Sequence, residues 1–135
     1  MNALRPRGLV AAIAYLGTTA YWIVFFTSGA VHVQDDAAYL AFENAFPLAD
    51  GWMAACAALA AVGLWRGRPW GLLFGLLAAS SLVFLGCMDV LWNLNAGSYG
   101  IPSGAMTAEF VINVFCLAGG VLLILYLWRH RRSLA

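Results

Sequence analysis

The stretch Pro69–Leu94, PWGLLFGLLAASSLVFLGCMDVLWNL, decides the fold. It runs from Pro69 to Met88 without a single charged residue. That is about the 20 apolar residues that a helix needs to cross the hydrocarbon core of a bilayer. A helix on the surface of a soluble protein would instead carry polar residues along one face. The stretch is therefore predicted to be a transmembrane helix.

The rest of the chain has the same character. Hydrophobic residues make up 64% of its 135 residues and charged residues 10%, whereas soluble domains are about half apolar and about a quarter charged. We predict one domain, 1–135, an all-α bundle of four transmembrane helices at about 8–31, 48–65, 69–94 and 107–129. The first apolar stretch is longer than the core of a cleavable signal peptide, so we expect it to be retained.

The charges predict an orientation. All seven basic residues are arginines, and they fall at the N-terminus, between the second and third spans, and at the C-terminus: Arg5, Arg7, Arg66, Arg68, Arg129, Arg131 and Arg132. Because basic segments stay in the cytoplasm, we predict a multi-pass protein of the cell membrane with both termini cytoplasmic. Its main partner is the lipid bilayer. A net charge of +1 without a long basic run argues against a nucleic-acid partner.

The first outer loop, about residues 31–49, is longer than a turn needs. A short amphipathic helix over residues 35–46 fits it, capped by Asp35 or Asp36 and ended by Pro47. Its aromatic residues recur at spacings of three and four, which places them on one face: Tyr39, Phe42 and Phe46. We expect this helix to lie against the outer surface, with Glu43 reaching either to water or toward the bundle.

All six acidic residues fall in the half predicted to be outer: Asp35, Asp36, Glu43, Asp50, Asp89 and Glu109. On the third span Asp89 and Asn93 are four residues apart, and on the fourth Glu109 and Asn113 are, so each pair shares a helical face. Because these spans run antiparallel, Asp89 and Asn113 are expected about one turn inside the membrane boundary. An ionisable group there is costly unless it is paired or faces a wet cavity.

The sequence therefore predicts one polar pocket near the outer boundary that binds a ligand. Its predicted residues are Asp89, Glu109, Asp50, Asn113, Asn93, Glu43 and His32, with Trp52 and Trp92 as walls. Asp89 has no arginine on its side of the membrane. It can take up a proton, form a hydrogen bond with Asn113 or His32, or bind an external cation. The sequence leaves these three options open.

Simpler interpretations of the same residues also remain. Asp50 and Glu109 begin predicted helices, where a carboxylate favours the N-terminal end of the dipole, and Thr107 is a candidate cap before Glu109. The asparagines are candidates for hydrogen bonds that only hold helices together. His32 fits an interfacial position. Trp52 and Trp92 also fit a belt of interfacial aromatic residues, opposite to Trp65, Trp70 and Trp128.

Metal and redox signatures are absent from the sequence. His32 and the acidic residues include hard oxygen ligands and one imidazole, but the Glu-x-x-His repeats of di-iron bundles and the His-Glu-x-x-His of zinc hydrolases are missing. A metal site is one alternative for these residues, but no metal ligand is assigned, and the sequence does not identify a cofactor. Cys56, Cys87 and Cys116 lie on three different helices without CxxC spacing, so we expect buried thiols that behave as small apolar side chains.

Three phrases carry a resemblance to a known group: Phe42–Asp50 (FENAFPLAD), Arg66–Gly71 (RGRPWG) and Phe84–Val90 (FLGCMDV). They resemble small four-helix integral membrane proteins of bacteria and archaea. The resemblance covers most of the chain. It implies the four-helix fold and carries no activity.

Three kinds of function remain open. The first is binding or transport of a small cation or small amphipathic ligand by the outer acidic pocket. The second is a structural or accessory subunit that associates with a partner membrane subunit or a second copy. The third is an intramembrane enzyme in which two carboxyl groups transfer protons to a lipophilic substrate. A cavity around Asp89 would favour the first or third function, and a fully packed interior the second.

Overall fold

The computed structural model describes residues 5–34 and 36–134, and the side chains of residues 15–34 and 36–133. Every regular element in these ranges is helical: α1 Arg5–Ser28, α2 Ala37–Glu43, α3 Pro47–Trp65, α4 Pro69–Ala96, a 3₁₀ turn Ser98–Gly100, α5 Gly104–Val114, a π-helical segment Phe115–Gly119, α6 Gly120–Arg129 and α7 Arg131–Leu134. The α5 helix, the π-helical segment and α6 follow one another directly and form one long helix, Gly104–Arg129, called the last long helix below.

Three helical segments of the described chain are long and apolar enough to cross a membrane: Ala37–Trp65, Pro69–Ala96 and Gly104–Arg129. Large apolar side chains on their outer surfaces are exposed, for example Leu73 at 56% and Leu122 at 65%. A helix that is apolar on all sides belongs in a protein core or in a bilayer, and exposure excludes the core. The prediction of an all-helical chain with membrane-type helices is confirmed to this extent.

The short helix predicted in the first outer loop is present as α2. Asp36 caps it, because its Oδ1 accepts hydrogen bonds from the backbone N–H groups of Ala38 at 2.9 Å and Tyr39 at 3.0 Å. The alternative cap, Asp35, lies outside the described residues. The helix ends at Glu43, three residues earlier than predicted, and Pro47 begins α3 instead of ending α2. Proline is favoured at a first helical position because the N–H it lacks would have no partner there.

The last long helix also begins earlier than predicted. Ser103 caps α5 by accepting a hydrogen bond from the backbone N–H of Met106 at 3.0 Å, so the helix begins at Gly104 and not at Thr107. Glu109 therefore lies beyond the first turn. The interpretation of Glu109 as a carboxylate that stabilises the helix N-terminus is wrong. Asp50 does lie in the first turn of α3.

The long helices form an open arc. Among the described residues, α3 packs against α1 on one side and α4 on the other, and α4 packs against the last long helix. In the part of the chain that the structure describes, no comparable packing joins α1 to the last long helix. A space therefore remains between these two helices, and the functional residues discussed below line it.

The closest helix approach joins α3 and α4 next to their connecting turn. A Cβ atom on Gly63 would lie 2.5 Å from the Cα atom of Gly71, and one on Gly71 would overlap the backbone of Gly63 and Leu64. A Cβ on Gly75 would meet Leu127 of the last long helix. The small residues Gly71 and Gly75 are therefore used for close packing within the chain.

Candidate functional site

A cavity of about 300 Å³ lies between α1 and the last long helix. It is near the end of the bundle where α1 and α4 end and α3 and α5 begin, which we call the acidic end. Its polar lining includes Glu43, Asp50, Asp89, Glu109, Asn113, Thr18 and Tyr21. Most of its other lining residues are apolar, and Leu82, Leu85 and Phe115 are among them. The cavity thus combines a polar end with apolar walls, as ligand pockets commonly do.

Three carboxyl groups converge at the polar end. One oxygen atom each of Glu43, Asp89 and Glu109 lies within 4.8 Å of the others; these three residues are called the carboxyl cluster. They come from α2, α4 and α5, and Glu43 and Glu109 are only 5% and 6% exposed. No arginine or lysine lines the cavity in the described part of the chain. Because like charges so close together repel one another, the cluster must share protons or bind a cation.

Asn93 connects two members of the cluster. It is fully buried, and its Nδ2 donates to Glu109 Oε1, to Asp89 Oδ1 at 3.3 Å and to the Asp89 backbone carbonyl at 3.1 Å. Asn93 Oδ1 and Glu109 Oε2 are buried without a hydrogen-bond partner. Buried polar atoms without partners are rare in native proteins and need an explanation. They mark a position where a donor group or a cation would be stabilised.

Two further hydrogen bonds fix the polar groups around the cluster. Trp22 Nε1 donates to Asp50 Oδ2 at 2.6 Å, which connects α1 to α3. Asn113 Nδ2 donates to the Tyr99 hydroxyl at 3.0 Å, and Asn113 also lies near Asp89. Burial raises the pKa of the Tyr99 hydroxyl, although the hydrogen bond from Asn113 opposes that shift. Tyr99 therefore remains a neutral hydroxyl at physiological pH.

The α2 helix and the loops cover the acidic end. Phe42 stacks on Trp92 with ring centroids 4.2 Å apart and contacts Phe46 at 4.8 Å. Gln34 Nε2 donates to Ser98 Oγ at 3.1 Å, which joins the loop before α2 to the turn after α4. The carboxyl cluster therefore lies beneath this cover, and Glu43 points toward the bundle and not toward water.

The structure brings most of the predicted site residues together. Glu43, Asp50, Asp89, Glu109 and Asn113 line the cavity, and Asn93 contacts the cluster. The other three lie elsewhere. His32 packs on the Phe25 ring at 4.3 Å, Trp92 belongs to the aromatic cover, and Trp52 is 56% exposed on α3, in agreement with an interfacial position.

Sequence reasoning missed Trp22, Tyr21 and Tyr99. It placed Glu43, Asp89 and Glu109 in one pocket but did not predict that their oxygens approach within 4.8 Å of one another. Trp22 is the one tryptophan far from the ends of the predicted spans, and an indole N–H in apolar surroundings needs an acceptor. That signal pointed to a carboxyl partner. Tyr99 follows a helix in a loop and gave no signal. The close approach of the three carboxyl groups could not be predicted, because metal motifs describe ligands at fixed spacing, whereas these side chains come from three separate helices.

No protein family, characterised protein or solved structure is significantly similar to this chain. The fold and the site define a helical protein of membrane type with a buried carboxyl cluster beside a cavity. The geometry of the carboxyl cluster and the cavity is therefore the basis for proposing a function.

Proposed function

We propose that this protein is a four-span integral membrane protein that binds a small cation at the carboxyl cluster. The observation that carries the proposal is the approach of Glu43, Asp89 and Glu109 oxygens to within 4.8 Å of one another in a buried layer. Ionised carboxyl groups in the interior of a membrane protein are costly unless they are paired. A bound cation would supply the missing positive charge and a partner for Glu109 Oε2.

The proposed fourth span is α1. Its 24 residues correspond to a helix about 36 Å long, at about 1.5 Å per residue, which exceeds the hydrocarbon thickness of about 30 Å. Four spans leave both termini on one side, and the arginines at the end opposite to the cluster support the cytoplasm as that side. The carboxyl cluster then lies near the outer boundary of the membrane.

The half of the bundle away from the cluster supports binding over passage of the cation. Leu64 and Leu127 are 4% and 1% exposed there and pack against each other. The hydroxyl of Ser81 donates to the Leu77 carbonyl of its own helix. An ion that crossed this region would lose its hydration among apolar side chains, which is strongly unfavourable.

The apolar walls of the cavity favour a second candidate, an amphipathic ligand with a cationic group. Ile112 and Phe115 line the cavity and are also 39% and 46% exposed. Ile112 lies eight residues beyond Gly104, about 12 Å along the helix at about 1.5 Å per residue. This side of the cavity would then face lipid at the level of the hydrocarbon core.

We expect a bound cation to raise the melting temperature of the protein in detergent micelles. A ligand at about 100 times its Kd stabilises the folded state by about 2.7 kcal/mol, which is a shift of several degrees. After dialysis against a chelator, Na⁺, K⁺, Mg²⁺, Ca²⁺, Mn²⁺ and a short alkylammonium ion are compared at constant ionic strength by tryptophan fluorescence.

The variant Glu109→Gln keeps the shape of the side chain and removes its charge, so it should lose this shift. Asp36→Asn is the matched control, because it removes an exposed carboxyl group that does not line the cavity, and asparagine also caps helices well. If no cation changes the melting temperature of the parent protein, or if Glu109→Gln responds equally, the proposal is wrong.

We also expect a cysteine at Asn95 to react with a membrane-impermeant maleimide in intact cells, and one at Ser133 to react only after permeabilisation. Both positions are exposed, whereas Ser98 is fully buried and unsuitable for labelling. The native cysteines are free thiols, of which Cys56 is buried as expected and Cys87 is exposed; all three are first replaced by serine. Labelling of the Ser133 site in intact cells would contradict the proposed orientation.

A further inference from the structure

We infer that the cation bound by the carboxyl cluster is a hard divalent metal ion of the class of Ca²⁺, Mg²⁺ and Mn²⁺; this inference rests on the proposed function. The distances support it. Bonds from these ions to oxygen are about 2.0–2.6 Å long, so two oxygens bound to one ion are at most about 5 Å apart. The oxygens of Glu43, Asp89 and Glu109 already lie within 4.8 Å of one another. Small side-chain movements are enough for all three to bind one ion.

The charge of the cluster favours a divalent over a monovalent ion. Three ionised carboxyl groups with a monovalent ion would leave two negative charges in a buried layer, and a divalent ion leaves one. No lysine or arginine among the described cavity residues compensates the remainder. The amide of Asn93 donates to both Asp89 and Glu109, which stabilises a single remaining charge. Because interactions between charges strengthen in a low-dielectric interior, this difference weighs heavily.

The ligand atoms select a hard ion. All three ligands are carboxyl oxygens, which suit Mg²⁺, Ca²⁺ and Mn²⁺, whereas Zn²⁺ and Cu²⁺ prefer sites with imidazole or thiolate. Neither His32 nor Cys116 belongs to the group of converging ligand atoms. His32 packs against Phe25 away from the cavity lining. The site therefore offers hard ions the ligands they prefer and offers Zn²⁺ neither imidazole nor thiolate.

Two buried atoms beside the cluster point independently to a ligand. Glu109 is only 6% exposed and lines the cavity, and its Oε2 has no hydrogen-bond partner. Asn93 is fully buried with its amide directed at the cluster, and its Oδ1 also lacks a partner. The second oxygen of Glu109 allows bidentate binding, which is common in calcium sites. The cavity of about 300 Å³ has room for water ligands at about 30 Å³ each.

The test is a titration of the full-length protein in nonionic detergent with MnCl₂, in which the six-line electron paramagnetic resonance signal reports unbound Mn²⁺. We expect one Mn²⁺ bound per chain, displaced by excess Ca²⁺ or Mg²⁺ and not by Na⁺ at equal ionic strength. Glu43→Gln and Glu109→Gln should each weaken binding at least tenfold. Asp36→Asn removes an exposed carboxyl group outside the cavity lining and keeps a capping residue for α2, so it should leave the affinity within twofold of the parent.

The two proposals fail in different ways. If the parent protein binds no Mn²⁺, or if the Gln variants bind it as well as the parent does, the metal inference is overturned. Should Na⁺, K⁺ or an alkylammonium ion then still raise the melting temperature in a Glu109-dependent way, cation binding survives without the metal. Absence of Mn²⁺ binding is measured on the parent protein. The inference can therefore be overturned even if a variant does not fold.

Discussion

Gly63→Ala is expected to destabilise the protein by about 3 kcal/mol, in the upper part of the range for overpacked interiors. The new methyl group would lie 2.5 Å from the Cα atom of Gly71 and 2.6 Å from the Trp70 ring. The backbone of α4 cannot move away easily, because the turn at residues 66–68 ties it to α3 immediately beside the contact. Unfolding in mixed micelles, followed by tryptophan fluorescence, measures the loss.

Gly51→Ala is the matched control in the same helix. A Cβ atom at Gly51 meets nothing within 4 Å, and alanine is a better helix former than glycine by about 1 kcal/mol. This variant should be neutral or slightly more stable than the parent. Equal effects of the two substitutions would contradict the close packing of α3 and α4.

Asn93→Asp is expected to have the second large effect, a loss of about 3–5 kcal/mol at neutral pH without divalent ions, as when a buried charge loses its partner. The substitution keeps the shape of the side chain. It removes the donor to Glu109 and Asp89 and adds a fourth carboxyl group to the buried layer. Protonation relieves repulsion among carboxylates, so the difference from the parent should shrink as the pH falls. A bound divalent ion should reduce it as well.

Melting curves at pH 5 and pH 8, with and without Ca²⁺, measure this behaviour. Asn95→Asp serves as the control, since Asn95 is exposed two residues later in the same helix. Its effect should stay within about 0.5 kcal/mol, as for most surface substitutions. A loss of stability in Asn93→Asp that depends neither on pH nor on Ca²⁺ would show that charge in the cluster is not the cause.

The sequence was sufficient to predict which polar residues lie at the same depth in the bundle. Spacings of four residues on antiparallel helices brought Asp89, Glu109 and Asn113 to the same level, and the charge pattern added Asp50. The sequence left three options open for Asp89: a proton, a hydrogen bond or a cation. They could be compared only once its neighbours were known. Asn113 is such a neighbour, whereas His32 packs on the Phe25 ring.

The remaining features depend on contacts between elements far apart in the chain. The cover over the acidic end requires Phe42 of α2 to meet Trp92 of α4, and helical periodicity contains no information on that pairing. The start of α5 is a local exception: Ser103 is intrinsically a better cap than Thr107, and it is the residue that caps the helix. The carboxyl cluster combines three helices, so no local motif could reveal it.

Locating a bound ion tests the proposed cation site most directly. Crystals of the protein, grown from a lipidic phase and soaked at an Mn²⁺ concentration that saturates binding in solution, would be measured for anomalous scattering from manganese. We predict one peak per chain, within about 2.0–2.6 Å of carboxyl oxygens from Glu43, Asp89 and Glu109. No peak at the cluster, with manganese bound elsewhere or not at all, would contradict the proposed site.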